Sequence, residues 1–248
     1  MLTIAGTARC VSDLHLRAER PDLTRRFADF LAATAAAGIE ALFILGDLFE
    51  YWIGDDDLAD PFNAQVCKLL RDLSDHGTRI FFIAGNRDFL IGERFAAAAG
   101  MRLLSDLETV DAGGTAILLM HGDTVCTDDL PYQEFRRMVR SPQWQADFLA
   151  RPLPERRAEV ESLRRRSAEA MQGKTAAIMD ASGAAIREAL TARGCTRLIH
   201  GHTHRPGREA IQLPSGSAER WVLSDWDTGR GDALEIDAAG IRRIDLAN

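Results

Sequence analysis

The sequence predicts an α/β protein whose functional residues lie at the ends of its strands. Short apolar segments typical of buried strands alternate, along the first half of the chain, with segments whose apolar residues recur at helical spacing. Each of these strands runs directly into a polar residue of a type that binds metal ions. The first three intervals between such residues are 34, 39 and 35 residues, about the length of one strand–helix–strand unit.

The first half of the chain contains four predicted strands and three predicted helices. The strands are ARCVSDLHL, ALFILGD, RIFFIAGNRD and TAILLMHGD. The first helix begins near Pro21 and places Leu23, Phe27 and Leu31 at helical spacing. The second helix, PFNAQVCKLLRDLSDHG, ends at Gly77, and the third contains FAAAAG.

An insertion is predicted between residues 128 and 175. The interval from His121 to His202 is 81 residues, too long for one more strand–helix–strand unit. The inserted segment is expected to be helical, with arginines placed among aromatic and aliphatic residues. Beyond the histidines, RWVLSDW, DALEID and IRRIDL predict a closing run of antiparallel strands. We therefore expect one domain, 1–248, that contains a helical insertion at 128–175.

The bulk composition is that of a globular protein, with 46% hydrophobic and 27% charged residues among 248. The net charge of −7 argues against broad binding to nucleic acid. The first residues do not have the pattern of a signal peptide, and no apolar run is long enough to span a bilayer. Four scattered cysteines, Cys10, Cys67, Cys126 and Cys195, favour reduced thiols in a cytoplasmic protein.

The segment LIHGHTHRP, residues 198–206, is the most unusual stretch of the sequence. His202 and His204 are two residues apart, so both could point to one metal ion if the backbone stays extended or turns gently. A histidine pair can also simply cap a surface loop. The segment alone leaves both interpretations open.

Further metal-binding residue types follow the predicted strands. The candidate ligands are Asp13, His15, Asp47, Asn86, His121, His202 and His204. In α/β proteins ligands bind beyond the carboxyl ends of the strands, so these side chains should converge. Imidazole, carboxylate and amide ligands without thiolate suit Mn²⁺, Fe²⁺ or Zn²⁺. Seven ligands fit two ions better than one, with Asp47 as the bridging ligand. Paired ions are typical of enzymes that hydrolyse phosphoesters or diphosphates.

The motifs SDLHL, GDLFE, GNRDFL, HGD and GHTHRP, in this order, resemble those of the calcineurin-like metallophosphoesterases. The resemblance implies a two-sheet sandwich flanked by helices, with the metal site at the strand ends. It implies one ion held by Asp13, His15, Asp47 and His204, and a second held by Asp47, Asn86, His121 and His202.

Arg87 departs from that superfamily pattern, which has a histidine at this position. The histidine is given the task of protonating or stabilising the leaving oxygen. An arginine, with a pKa above about 12, cannot supply the proton, but its planar fork can hold phosphate oxygens. The leaving group should therefore need no proton; a sugar phosphate, whose second pKa is about 6, meets this requirement. Alternatively, Arg87 only pairs with Asp88 at the surface.

Longer strings are similar to the family of bacterial UDP-2,3-diacylglucosamine hydrolases of lipid A biosynthesis. They are GDLFEYWIGDDD, GNRDFLIG, HGDTVCTDDLPYQEFR, KTAAIMD, LIHGHTHRP and VLSDWD, and they span almost the whole chain. The resemblance implies a Mn²⁺-dependent enzyme that cleaves this glycolipid nucleotide at the α-phosphate, giving UMP and 2,3-diacylglucosamine 1-phosphate (lipid X). It implies catalytic roles for Asp47, Asn86, Arg87 and His121.

The same resemblance implies that the insertion is a lid over an acyl-chain chamber. It implies substrate contacts at Asn86, Arg87, Asp129, Ser167, Lys174 and His202. Met171 stands where the family usually has a polar side chain, so a hydrogen bond from it is in question. As alternatives, Asp129 only caps a helix, Ser167 and Lys174 are ordinary exposed helix residues, and the insertion's aromatic residues only pack against the sheet.

The substrate also implies a place in the cell. The arginines of the insertion either form a solvated face or contact an anionic bilayer, and we expect peripheral contact with the cytoplasmic face of the inner membrane. We expect no obligate protein partner and no nucleic acid. Two rival functions are a general or cyclic-nucleotide phosphodiesterase of the same superfamily and, more remotely, a non-catalytic binding scaffold.

Overall fold

The structure is a computed structural model that describes residues 1–112, 114–172 and 180–246, with the backbone alone for residues 166–172. The strands are β1 (Leu2–Ile4), β2 (Ala8–Val11), β3 (Ala41–Ile44), β4 (Arg79–Phe82), β5 (Met101–Leu103), β6 (Leu107–Ala112), β7 (Thr115–Met120), β8 (Arg197–His200), β9 (Gly207–Leu213), β10 (Gly216–Val222), β11 (Asp232–Asp237) and β12 (Gly240–Asp245). The helices are α1 (Pro21–Ala36), α2 (Pro61–Asp75), α3 (Glu93–Ala99), α4 (Leu130–Val139), α5 (Pro142–Leu149), α6 (Leu153–Gln172) and α7 (Gly183–Arg193).

These strands form two sheets of six strands each. The first sheet has the order β1-β6-β7-β8-β10-β9, and the second has the order β12-β11-β2-β3-β4-β5. In the second sheet β2 to β5 are parallel, and β11 and β12 join as an antiparallel edge. In the first sheet β7, β8 and β10 are parallel to one another. Both sheets therefore direct carboxyl ends of parallel strands to a common edge.

The two sheets pack face to face through alternate residues of their strands. In β3, Ala41 and Phe43 belong to the apolar cluster between the sheets, which also contains Ile117 of β7. The intervening residues Leu42 and Ile44 instead belong to the cluster beneath the helices. Every residue of β3 is buried, which explains why its sequence reads as a continuous apolar run.

Helices cover the outer face of each sheet. The apolar cluster on the second sheet includes Phe27 of α1, Val66 of α2 and Phe95 of α3. On the first sheet, α7 buries Ile186 and Leu190 against β7, β8 and β9. The expected α/β class, a two-sheet sandwich flanked by helices, is confirmed.

Two details of the predicted topology are wrong. The interval between Asn86 and His121 is not one strand–helix–strand unit, because β5 completes the second sheet and β6 then crosses into the first, antiparallel to β7. The closing strands are not a single antiparallel run either, since the β9–β10 hairpin joins the first sheet and the β11–β12 hairpin joins the second. Strands of three to seven residues carry too little pattern to show which sheet they enter.

Helices α4, α5 and α6 occupy the predicted insertion. Asp129 and Ser141 cap α4 and α5 by accepting hydrogen bonds from backbone N–H groups. Arg156 of α6 is buried, and it donates to the carbonyl oxygen of Ile53 and pairs with Asp56. The insertion is therefore fastened to the loop that follows β3. Among the described residues, no helix has the length and apolar character needed to cross a membrane.

Candidate metal centre

The predicted ligands meet where the carboxyl ends of the two sheets face each other. Asp13, Asp47 and Asn86 follow β2, β3 and β4 of the second sheet, whereas His121 and the loop of His202 follow β7 and β8 of the first sheet. The side chains of Asp13, Asp47 and His121 are almost fully buried.

The backbone is strained at the ligand positions. The non-glycine residues that adopt a positive φ, in the part of the chain that the structure describes, are Asp13, His15, Asp47, His202 and His204, with φ from 48° to 63°. Such a conformation is uncommon for residues with a side chain, and it clusters at functional sites. Every one of these residues is a ligand predicted from the sequence.

Glycines allow the loops to approach the carboxylates closely. A Cβ atom on Gly85 would lie 2.1 Å from Asp47 Oδ1, and one on Gly201 would lie 2.1 Å from Asp13 Oδ2. Both distances are far shorter than van der Waals contact. Only glycine fits at these two positions, which explains the glycines in the GN and GH of the sequence motifs.

Asp13, His15 and His204 form the first cluster. The Nε2 atom of His204 lies 3.3 Å from Asp13 Oδ1 and 3.4 Å from His15 Nε2. Ligands about 2.1 Å from one ion are separated from each other by about 3 to 3.5 Å. Asp13 Oδ1 is buried and has no hydrogen-bond partner among the described residues, as expected of an oxygen that faces a cation.

Asn86, His121 and His202 form the second cluster. The Oδ1 atom of Asn86 lies 2.9 Å from His121 Nε2 and 2.9 Å from His202 Nδ1. The other ring nitrogen of His121 contacts the carbonyl oxygen of Leu45 at 2.8 Å, which fixes the ring with Nε2 towards the site.

Asp47 stands between the clusters. Its Oδ2 is 3.9 Å from His15 Nε2 in the first cluster, and its Oδ1 is 3.8 Å from His121 Nε2 in the second. Asp13, Asp47 and His121 also bring ligand atoms within 4.8 Å of one another. The chain thus supplies oxygen and nitrogen donors on both sides of one carboxylate, a donor set that fits two divalent ions.

The electrostatics of the centre favour a bound cation. Burial, together with repulsion from Asp88 and Asp13, raises the pKa of Asp47. Burial alone would lower the pKa of His121, but the carboxylates of Asp47, Asp13 and Asp123 raise it to about 8. Burial lowers the pKa of His202 to about 4. The buried carboxylates therefore stabilise positive charge within the centre.

The structure corrects the expected geometry of the histidine segment. His202 and His204 do not share one strand face, because both have a left-handed backbone, and their imidazoles enter different clusters. His200 takes no part: its buried Nε2 atom accepts a hydrogen bond from Arg220 Nε at 2.9 Å, and burial lowers its pKa to about 3. The alternative of a surface cap fails, since His202 contacts Asn86 inside the site.

Arg87 does not pair with Asp88. Asp88 is fully buried, and its carboxylate accepts hydrogen bonds from the backbone N–H groups of Gly85 at 3.0 Å and Leu48 at 2.7 Å. The backbone N–H of Arg87 donates to Asp47 Oδ1 at 2.9 Å. Its guanidinium is part-exposed, and its Nε atom has no partner among the described residues.

Glu50 is a functional candidate that the sequence reasoning missed. Its carboxylate pairs with Arg164 of α6 at 2.7 Å and with Arg17 at 3.1 Å, and it lies 3.9 Å from Arg87 Nη1. It is also 3.5 Å from Nδ1 of His15. Its place in the motif GDLFE was the available signal, but only the fold shows that it joins the insertion to the metal centre.

Asp123 is a second missed residue. It accepts hydrogen bonds from the Tyr132 hydroxyl at 2.9 Å and from Arg136 Nε at 2.6 Å, both on α4. Burial alone would raise its pKa, but His121 and Arg136 hold that pKa well below the usual range. The ring of Tyr132 lies 5.8 Å from that of His202. Asp123 therefore connects the insertion to the second cluster.

An apolar cavity of about 340 Å³ lies between the insertion and the metal centre. Its polar lining includes Asn86 and Arg87, and its apolar lining includes Phe89, Trp144 and Phe148. Trp144 and Phe148 stack at 4.8 Å, so these aromatic side chains both pack together and line the cavity.

The structure describes the remaining predicted substrate residues to different extents. Asp129 is buried and caps α4 through the backbone N–H of Tyr132 at 3.2 Å, so the capping role is observed. Ser167 and Met171 belong to α6, but their side chains lie outside the described residues. Lys174 lies outside them entirely.

Comparison with known proteins identifies relatives along almost the full length of the chain. A model of the calcineurin-like phosphoesterase family matches residues 8–206. A UDP-2,3-diacylglucosamine hydrolase of Aromatoleum aromaticum is 49% identical over 94% of this chain and 94% of its own length. One of Chromohalobacter salexigens is 47% identical over 93% of each chain. Among solved structures, a dimetal phosphatase from Danio rerio has the same fold, with a TM-score of 0.53 at 13% identity over 98% of both chains.

Proposed function

The chain belongs to the calcineurin-like phosphoesterase family, and from this we propose that it hydrolyses the diphosphate of UDP-2,3-diacylglucosamine. Water attacks the α-phosphate, and the products are UMP and 2,3-diacylglucosamine 1-phosphate, in the pathway of lipid A biosynthesis. The names of relatives at 49% and 47% identity support this substrate. Identity of this level over nearly the whole chain includes the insertion as well as the metal motifs.

The observation that carries the proposal is the pair of clusters on either side of Asp47. We assign Asp13, His15, Asp47 and His204 to one divalent ion and Asp47, Asn86, His121 and His202 to the other. The two ions, most simply Mn²⁺, would polarise the phosphoryl oxygens and lower the pKa of the attacking water. The residues fit this cofactor because the strained loops already hold the donor atoms in place.

Arg87 favours cleavage of a phosphoanhydride over cleavage of a simple phosphoester. Its part-exposed guanidinium opens into the apolar cavity beside Asn86 and can hold diphosphate oxygens through two parallel N–H groups. It donates no proton, so the leaving group must depart as a stable anion. Lipid X carries such a group, because a sugar phosphate needs no proton to leave near neutral pH. His121 and Asn86 position the phosphate at the second cluster.

The insertion, residues 128–175 of the single domain 1–248, would act as a lid over the acyl chains. The aromatic wall of the cavity supports this role, since Phe89, Trp144 and Phe148 offer the apolar surface that acyl chains require. The proposed contacts to the sugar and phosphates are Asn86, Arg87, Asp129, Ser167, Lys174 and His202, with Met171 lining the pocket.

The protein would work at the cytoplasmic face of the inner membrane, where its substrate resides. Support comes from exposed apolar side chains on the insertion, chiefly Leu130 and Met138, which are 71% and 50% exposed on α4. The arginines give less support than expected, because Arg136, Arg156 and others pair with acidic residues of the protein itself. Membrane contact therefore rests on apolar residues more than on positive charge.

A general or cyclic-nucleotide phosphodiesterase is the main alternative. It would use the same ligands, but Arg87 cannot protonate an alkoxide leaving group, and the apolar cavity would have no purpose. A non-catalytic scaffold would not need buried donor atoms on both sides of a shared carboxylate.

A product assay tests the proposal. The purified protein is incubated with Mn²⁺ and UDP-2,3-diacylglucosamine in detergent, and separately with bis-p-nitrophenyl phosphate, and products are identified by mass spectrometry. We expect UMP and lipid X, with poor cleavage of the artificial diester. Efficient cleavage of the diester with the glycolipid intact would refute the substrate and leave the metal centre in place.

A further inference from the structure

A second cavity, of about 200 Å³, shares Arg87 and Glu50 with the lining of the apolar cavity. We call it the polar cavity; it is lined by His15, Arg17, Arg20, Leu23, Glu50, Arg87, His204, Asp225, Trp226 and Asp227. The first metal cluster forms part of its wall through His15 and His204. Nothing in the proposed lipid half of the site uses this space.

Glu50 and Arg87 line both cavities, so the two cavities adjoin at these side chains. The substrate of the proposed function has the same layout, with a diacyl sugar at one end, a nucleoside at the other and a diphosphate between. An apolar chamber and a polar chamber that meet at a phosphate-binding arginine match these three parts in order.

We propose that the polar cavity is the subsite for the nucleoside half of the substrate and for the UMP product. This inference rests on the proposed function and deepens it. With the acyl chains in the apolar cavity and the diphosphate at Arg87, the polar cavity is the space into which a pyrimidine nucleoside would extend past the first metal cluster.

Unpartnered polar atoms in the wall of the polar cavity support a polar ligand. Trp226 is 2% exposed, and its buried Nε1 has no acceptor among the residues that the structure describes. The Oδ1 atom of the neighbouring Asp225 is also buried without a donor in the described part of the chain. Buried polar atoms are normally hydrogen-bonded, so one donor and one acceptor here indicate a missing polar partner. A nucleoside presents both kinds of group.

The positive charges of the polar cavity are not equally available. Arg20 is held by Asp22 and Asp227 at 2.9 Å, so it serves as a fixed part of the wall. Arg17 is 35% exposed, and its described ionic partner is Glu50 at 3.1 Å. Since Glu50 also binds Arg164 on the lipid side, it holds one arginine of each cavity. Arg17 is thus the cation best placed to reach an anionic nucleotide.

The test measures UMP binding directly. Isothermal titration of UMP into the Mn²⁺-loaded protein compares wild type with Arg17→Gln and Trp226→Phe. The first removes the available cation, and the second removes the unpartnered N–H but keeps an aromatic ring against Phe27 and Phe30. Trp144→Ala, in the apolar cavity, is the matched control. Metal content and Tm are measured for each variant, and binding of lipid X in detergent is titrated in parallel.

We expect UMP affinity to fall about tenfold in Arg17→Gln, and severalfold in Trp226→Phe, with lipid X affinity unchanged in both. Tenfold corresponds to about 1.4 kcal/mol. Trp144→Ala should show the opposite pattern. If both polar-cavity variants load metal and bind UMP like wild type, or if Trp144→Ala is the one that weakens UMP, the assignment is overturned. Turnover of UDP-2,3-diacylglucosamine by the wild type, measured in the same preparation, separates this failure from failure of the proposed function.

Discussion

Substitution of Arg87 tests the link between its planar fork and diphosphate cleavage. The guanidinium Nε has no partner among the described residues, and Nη1 is 3.9 Å from Glu50, beyond hydrogen-bonding distance. Neither Nη atom of the part-exposed guanidinium makes a hydrogen bond among the described residues, so two N–H groups are available to the substrate. A hydrogen bond to a charged group contributes about 1.5 to 3 kcal/mol, so Arg87→Ala loses about 3 to 6 kcal/mol. At about 1.4 kcal/mol per tenfold, kcat/KM should fall by about 10² to 10⁴.

Arg87→Lys keeps the positive charge but lacks the planar fork that can donate two parallel hydrogen bonds. The fall in kcat/KM should therefore be smaller, about 10- to 100-fold. The assay follows UMP release from UDP-2,3-diacylglucosamine at fixed Mn²⁺, with bound metal counted in each variant. Arg102→Ala, an exposed arginine on β5, is the control and should be unaffected. If Arg87→Ala retains two ions and has kcat/KM within about threefold of wild type, the phosphate-clamp role is wrong.

The metal centre and the insertion lead to four further predictions. Asp47→Asn should abolish turnover and lower the bound metal from two ions to one or none by native mass spectrometry; two tightly bound ions with retained activity would exclude the bridging role. Removing both metal ions with a chelator should lower Tm by about 10 to 20 °C, since each ion at 100 times its Kd stabilises by about 2.7 kcal/mol and each kcal/mol is worth about 2 to 4 °C at this size. Neighbouring carboxylates raise the pKa of His121 to about 8, and Mn²⁺ binds only the neutral imidazole, so Mn²⁺ affinity should rise with pH up to about 8; a flat calorimetric profile over pH 6 to 8 would contradict this. Arg156→Met should leave the carbonyl of Ile53 without its hydrogen-bond donor. We therefore expect Tm to fall by about 3 to 10 °C and hydrogen exchange in α6 to become faster, with metal content unchanged. Unaltered exchange in α6 would show that Arg156 does not fasten the insertion.

Much of the site could be predicted because metal ligands are chemically distinctive. Aspartate, asparagine and histidine directly after apolar strands indicate a metal site. The parallel strands of one sheet bring such residues together. Strand-end position alone therefore predicted the convergence of Asp13, Asp47 and Asn86. It did not predict the left-handed backbone at His202 and His204, because φ depends on how the loop packs against the opposite sheet.

The residues that the sequence analysis missed act through long-range contacts. Asp88 is next to Arg87 in sequence, yet its carboxylate holds the backbone of the β3 loop, 40 residues away at Leu48. Glu50 meets Arg164 across 114 residues of sequence. Nothing local distinguishes these acids from solvated ones. For the same reason the arginines of the insertion looked free, whereas Arg156 is buried in a contact with the β3 loop.

The most direct test of the central claim is the position of the oxygen that hydrolysis introduces. The reaction with UDP-2,3-diacylglucosamine and Mn²⁺ is run in H₂¹⁸O, and both products are analysed by mass spectrometry. Attack at the α-phosphate, with the lipid phosphate leaving as an anion, predicts one ¹⁸O in UMP and none in 2,3-diacylglucosamine 1-phosphate. Label in the lipid phosphate would contradict the proposed attack at the α-phosphate.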